Sequence, residues 1–297
     1  MGRRILRASA LIAVASVLPM LVAVGCGGDT GQGAGAASAS YRASQLILAT
    51  TTSVKDSGLL DEAILPAFAK AHPDMTVKTI AVGSGEALAM GERGEADVLL
   101  VHSPKDEAAF MAAGYGTLRL PVAYNYFVIV GPAADPAGVA AAATAADAFR
   151  VIAASGATFV SRGDESGTQK KELEIWEAAG VRPDASHYVS TGQGMGETLQ
   201  IASEKRAYTL TDLATYLSME KTLDLRVLTR QSPDLKNSYS VIIVSQLEHA
   251  SVNAAGAELF AALLVSPEGQ RLIAAFGRAK YGRPLFYPDA EALGTGG

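Results

Sequence analysis

The stretch Leu46-Ile-Leu-Ala-Thr-Thr-Thr-Ser-Val-Lys-Asp-Ser-Gly-Leu-Leu60 decides the fold. A short apolar run, Leu46 to Ala49, gives way to the hydroxyl residues Thr50, Thr51, Thr52 and Ser53, and an apolar pattern resumes at Leu59, Leu60, Ile64, Leu65 and Phe68. That order predicts strand, loop, helix. Asp56 and Ser57 are both good N-caps, and Asp61 and Glu62 fall in the first turn, where the helix dipole favours carboxylates. Hydroxyls and free backbone N–H groups then lie at the carboxyl end of a strand beside a helix N-terminus, where open α/β sheets bind ligands and anions are favoured. Two readings of the stretch stand: an oxyanion cradle, or a polar loop that only caps its helix.

Working outward, strand and helix alternate. Thr76 to Val82 is a β-branched run, broken by Gly83-Ser84-Gly85 and followed by a helical stretch from Glu86 to Arg93; Asp97 to Val101 predicts a third strand and Pro104 to Ala113 a third helix. Repeated strand and helix at this spacing argues for a parallel sheet covered on both faces. Pro66 lies inside the first helical pattern, so that helix should be kinked or built in two pieces. Two later strands, Tyr124 to Val130 and Tyr239 to Val244, are aromatic at the start and β-branched at the end, and read as crossovers between two lobes. Between them lies a second set: helices over 142–154, 167–179, 195–205 and 213–219, and strands over 158–161 and 207–210. Helices over 253–265 and 267–277 would complete the first lobe. The expected fold is α/β and two-lobed, each lobe a mostly parallel sheet flanked by helices, with lobe 1 formed by 44–123 and 239–290, lobe 2 by 124–238, and 291–297 a loose tail.

Upstream of the deciding stretch, Arg3, Arg4 and Arg7 precede an apolar segment ending at Gly25, the pattern of a secretory signal peptide over 1–25. Ala23-Val24-Gly25-Cys26 resembles a bacterial lipobox, so Cys26 is the expected lipidation site, with plain cleavage nearby as the alternative. Residues 26–43, rich in Gly, Ala and Ser, cannot bury enough apolar surface to order themselves and read as a flexible tether. Cys26 is the only cysteine of the 297 residues, which excludes an internal disulfide and a Cys-based metal site. Without the three leading arginines, 22 basic and 30 acidic residues leave a net charge of −8. That is the wrong sign for a nucleic-acid binder, so any anion must be held by local donors and helix ends.

In the second lobe, Ser161-Arg-Gly-Asp-Glu-Ser-Gly-Thr168 repeats the logic of the opening stretch: a short strand ends in a polar, Gly-containing loop and a helix starts at once. Here the loop brings Arg162, whose planar fork suits oxyanions; the alternative is that Arg162 pairs with Asp164 or Glu165 on the surface. The Arg-Gly-Asp triplet is a chance match to an adhesion motif. A third Gly-rich turn, Thr191 to Gly196, also leads into a helix. There is no phosphate-binding G-x-x-x-x-G-K-[ST] loop and no G-x-S-x-G elbow. The four histidines show no metal-ligand spacing, and only His102, after the third strand, is placed near the expected cleft.

Taken together, Thr50 to Ser53 with Asp56 to Leu60, Ala96 to His102, Tyr124-Asn125 with Phe127 to Pro132, Ser161 to Asp164 with Ser166 to Thr168, Gly192 to Gly196 and Ala207 to Leu210 resemble the tungstate-binding proteins of bacterial ABC importers, the TupA family. The blocks occur in the family's order over nearly all of the folded region. The resemblance implies a periplasmic binding protein of the second type, extracytoplasmic, not an enzyme, monomeric, without cofactor or resident metal, and working with a membrane permease. It also implies tungstate or molybdate as ligand, held by Thr51, Thr52 and Ser53 in one lobe and Arg162, Ser166, Gly167 and Thr168 in the other, with Ser84, Gly196 and Tyr208 completing the set. The chain departs from the family at Gln169, where a His is common, and at Leu213, where a charged residue is usual.

Desolvating a tetrahedral dianion is costly, and hydrogen bonds to a charged group return about 1.5–3 kcal/mol each, so roughly six to eight donors are needed for tight binding. Two lobes can supply that number where one could not. A reading of a different class, an extracytoplasmic phosphoester hydrolase using the same loops with His102, requires a general base within reach. Sulfate, molybdate and phosphate compete as ligands. Phosphate needs an acceptor for its proton, which Asp164 or Glu165 could supply.

Overall fold

Strand β1 (Gln45–Thr51) is flanked in parallel by β2 (Thr76–Val82) and β3 (Val98–Val101) in the computed structural model, which describes residues 44–290. The expected signal peptide, Cys26, the tether and the C-terminal tail lie outside the described residues. The run from Leu46 to Ala49 is apolar throughout because both faces of its sheet are covered. Leu46 and Leu48 point to one side, where they pack with Phe68 and Phe260; Ala49, Leu99 and Val101 point to the other, against Leu88 and Phe110. Phe260 belongs to α9 (Ala254–Val265), and α10 (Pro267–Ala275) packs beside it; Leu88 belongs to α3 (Ser84–Glu92) and Phe110 to α4 (Pro104–Ala112).

The chain after β1 departs from expectation in an informative way. Thr51 itself is the N-cap, its Oγ1 accepting from the Val54 N–H, and helix α1 (Thr52–Asp56) begins at once. Asp56 and Ser57 end this helix rather than start one, because Gly58 follows in the left-handed region at φ 84°. A π-helical turn over Leu60–Ile64 and then α2 (Leu65–Ala71), with Pro66 in its first turn, complete a helix built in pieces.

Beyond β3 the sheet continues antiparallel through β9 (Lys236–Val244) to β4 (Gly116–Gly131) and β10 (Tyr287–Pro288). β4 is 16 residues long and serves two sheets: it pairs with β9 as far as Tyr126↔Lys236, its residues 127–130 pair with β7 (Thr209–Asp212), and its last two residues pair with β8 (Arg226–Val227). One strand carries the chain out of the first lobe and the other returns it, which is why these two run antiparallel. Past the crossing the alternation begins anew. Phe127 and Ile129 join Phe149 and Trp176, from α5 (Ala145–Ser155) and α6 (Gly167–Ala179). Val128 and Val130 join Leu199 and Tyr216, from α7 (Met195–Glu204) and α8 (Leu213–Met219). β5 (Phe159–Ser161) and β6 (Tyr188–Ser190) pair in parallel alongside. The strand expected over 207–210 is displaced two residues, because Tyr208 exchanges backbone hydrogen bonds with the 158–160 segment while 209–212 pair with β4.

Candidate functional site

Helix N-termini from both lobes are brought together where the lobes meet. The first turn of α3 abuts the second-lobe loop: a Cβ on Gly83 would stand 3.3 Å from the Asp164 carbonyl oxygen. The first residue of α6, Gly167, lies against His102, where a Cβ would come within 2.8 Å of the His102 carbonyl oxygen. Glycine is therefore required at 167 for the lobes to approach this closely. Lys170 and Asp106 form an ion pair across the same boundary.

Arg162 is buried at the lobe boundary, only 2% exposed. Its Nη2 donates across the cleft to Thr52 Oγ1 at 3.1 Å and, within its own loop, to the Asp164 carboxylate. The sequence alternatives for Arg162 thus merge, since it pairs with Asp164 but in the buried cleft rather than on the surface. Its Nε and Nη1 have no hydrogen-bond partner among the described residues, and neither have the buried hydroxyls of Ser84 and Thr168. Leaving a buried donor unpaired costs about 1–3 kcal/mol, more when it is charged. Orphaned donors on facing lobes, beside the N-termini of α3 and α6, are the arrangement an oxygen-rich anion satisfies.

The loop is held in shape by its own polar groups. Ser166 is the N-cap of α6, its Oγ accepting from the Gln169 N–H at 3.2 Å, while the Gln169 side chain accepts from the Glu165 N–H. This is a variant of the capping box, and it gives Gln169 a local role where the resemblance leads to a His. Leu213, the other departure, is buried in the apolar cluster with Val128 and Tyr216.

Of the remaining expected residues, Thr51 and Ser53 lie at the turn, both buried, with their hydroxyls 3.1 Å apart. Gly196 is in the first turn of α7 and faces Asp56 and Met219. Tyr208 is a correction. Its hydroxyl donates to Asp135 Oδ1 at 3.0 Å and accepts from the Ala137 N–H, and its ring packs in the core with Phe149, so it does not reach the cleft. An adjacent interlobe groove of about 960 Å³ shares His102 and Gly167 with the site, but neither Arg162 nor the threonine-serine turn lines it.

His102 is buried, with Nδ1 2.8 Å from Asn237 Oδ1 and Nε2 3.4 Å from Ser53 Oγ. The pair has the outward form of a base beside a hydroxyl nucleophile. Burial, however, lowers the imidazole to about 4, a drop that the Asn237 hydrogen bond only partly opposes, and so weak a base does little at neutral pH. Asn237, Asn125, Asp212 and Thr215, all buried, were not singled out from the sequence. The available signal was faint: Asn125 near the start of one crossover strand and Asn237 two residues ahead of the expected start of the other.

The PBP superfamily domain matches residues 30–268. The tungstate-binding protein TupA of Peptoclostridium acidaminophilum is 47% identical over 247 residues, covering 82% of this chain and 86% of that protein. Among solved structures, the tungstate ABC transporter protein from Geobacter sulfurreducens aligns at 45% identity with a TM-score of 0.72, over 78% of this chain and 98% of that one. The tungstate-binding protein TupA from Desulfovibrio alaskensis G20 aligns at 43% identity with a TM-score of 0.70, over 83% and 99%.

Proposed function

The chain belongs to the PBP superfamily and, within it, to the tungstate-binding TupA family, and from that membership we propose that it captures the tungstate oxyanion between its lobes and delivers it to the membrane permease of an ABC importer. It is an extracytoplasmic solute-binding protein and not an enzyme. The observation that carries the choice of ligand is the set of buried donors without acceptors among the described residues, Arg162 Nε and Nη1 with the Ser84 and Thr168 hydroxyls, on opposing lobes. Thr52 and the backbone N–H groups of Ser53, Gly167 and Thr168, in the first turns of their helices, supply further donors. Each Asp164 carboxylate oxygen already accepts one hydrogen bond, from Arg162 and from the Ser166 N–H at 3.2 Å, which favours an anion carrying no proton over one that needs this carboxylate as its acceptor.

Lobe limits at 44–123 with 239–290 and 124–238, a lipid anchor at Cys26 and a monomeric carrier belong to the same reading. Tungstate binds at least as tightly as molybdate and far more tightly than sulfate, because a shell set for the larger anion leaves its donors too far from a smaller one. Dialysis of the protein against dilute tungstate, followed by elemental analysis, tests the function. One tungsten per chain is expected; none retained would overturn it.

A further inference from the structure

Six buried residues form a ring of polar contacts that passes through both lobes and both crossover strands, its last link, Thr215 Oγ1 to the Ser53 carbonyl oxygen, being the weak arm of a proton shared with Asp212. Thr215 Oγ1 donates to Asp212 Oδ2 at 2.6 Å and is 3.4 Å from the Ser53 carbonyl oxygen. Asn125 Nδ2 donates to Asp212 Oδ1 at 3.3 Å, and Asn237 Nδ2 donates to Asn125 Oδ1 at 2.8 Å. His102 Nδ1 then faces Asn237 Oδ1, and His102 Nε2 faces the Ser53 hydroxyl, which returns the ring to its start. None of the six is more than 3% exposed.

The ring has a direction, and Asp212 sets it. Asp212 accepts from the Thr215 hydroxyl at 2.6 Å and the Thr215 N–H at 2.9 Å, and as an acceptor it is met by the Asn125 NH₂, which leaves the Asn125 oxygen toward Asn237. Asn237 must then turn its own oxygen to His102, which places the imidazole proton on Nδ1 and leaves Nε2 bare. A bare Nε2 accepts the Ser53 hydroxyl proton. Burial, the largest influence, raises the Asp212 carboxyl, and the Thr215 hydroxyl, the Thr215 N–H and then the charge of Arg162 oppose that rise.

Ser53 and His102 belong to the first lobe, Asp212 and Thr215 to the second, and Asn125 and Asn237 stand opposite one another on the crossover strands. Parting the lobes would draw Thr215 away from Ser53, so the ring would break as the cleft opened. We propose that His102, Asn237, Asn125, Asp212 and Thr215 are positioning residues that hold the closed, anion-retaining state and turn the Ser53 hydroxyl away from the anion, leaving its backbone N–H as the ligand. The proposal rests on the oxyanion-carrier reading, and it adds that retention is set in part by groups that never touch the anion.

The test compares Thr215→Val, which keeps the shape and removes the hydroxyl, with Thr215→Ser, which restores it. Tungstate, molybdate and sulfate affinities, the tungstate dissociation rate and the imidazole ¹⁵N shifts of His102 are read for each. The expected result is about tenfold weaker tungstate binding in the Val variant, through faster dissociation, the size of a lost buried hydrogen bond. The ratio of tungstate to sulfate affinity should not change, the Ser variant should recover, and wild-type His102 should show the Nδ1–H form. Should the Val variant fail to fold, Asn125→Ser carries the same measurements. Unchanged affinity and dissociation in a folded variant, a changed anion ratio, or an Nε2–H His102 overturns the proposal. Failure of the wild type to bind tungstate overturns the carrier reading instead, and the ring is then tested with whichever of the three anions binds.

Discussion

Arg162 ties one guanidinium nitrogen to Thr52 and Asp164 and leaves two buried nitrogens without an acceptor among the described residues. Lysine at this position keeps a charge but cannot hold the Thr52 and Asp164 contacts and present further donors at once. Arg162→Lys should therefore weaken tungstate binding by at least about tenfold, or about 1.4 kcal/mol, in a calorimetric titration. His102 gives a second prediction. Its folded value of about 4 lies below the ordinary value near 6.5, so the unfolded chain takes up the proton first as pH falls. The stability associated with a neutral His102 is complete above about pH 6.5 and lost progressively toward pH 4, on the order of 3 kcal/mol in total. Chemical denaturation at pH 7 and pH 4 should show a larger acid loss in wild type than in His102→Gln. Arg162 and the hydroxyl turn were legible in the sequence because a charge and a run of hydroxyls directly after apolar strands are local patterns. Asn125, Asn237 and Asp212 were not, since their meaning comes only from strands that pair across 112 and 87 positions of the chain. Tyr208 misled for a related reason: a polar tip says that a partner exists, not which, and here it is Asp135.

At the scale of elements, the site depends on helices starting directly at strand ends. α1 begins at Thr52, the residue after β1, and α6 begins six residues after β5, so the donors stand at the edge of rigid sheets. The existence of these elements followed from apolar periodicity, and the helices expected over 167–179 and 213–219 are α6 and α8, which the structure shows capped by Ser166 and Asp212. The start of α1 was not legible, because four successive hydroxyl residues and Asp56-Ser57 offer competing caps, and Gly58 decides between them only through its backbone conformation. Gly167 supplies the prediction at this scale. Gly167→Ala places a methyl group against the His102 backbone, and overpacking of this kind costs about 1–3 kcal/mol, a five- to hundredfold loss. The strain arises only on closure, so tungstate affinity should fall by that factor while the ligand-free melting temperature holds. Solution scattering should also show that the variant no longer compacts when tungstate is added. Full compaction at wild-type affinity would mean that α6 and the His102 loop do not meet this closely.

At the scale of the whole molecule, the net charge opposes anion binding while the cleft favours it. The excess of acidic residues lies in a chain whose site offers one arginine, already half-neutralised by Asp164, so the attraction must come from donors gathered at close range rather than from a long-range field. That requires two lobes meeting through β4 and β9, an arrangement legible in the sequence from two long strands unlike the rest. Its antiparallel pairing and the polar ring inside it were visible only in three dimensions. The proposed shell is one suited to a large, fully deprotonated oxyanion. Calorimetric titration of the protein with tungstate, molybdate and sulfate measures that fit. One site per chain is expected, with tungstate at least as tight as molybdate and both bound far more tightly than sulfate; equal affinity for sulfate and tungstate would rule the shell out.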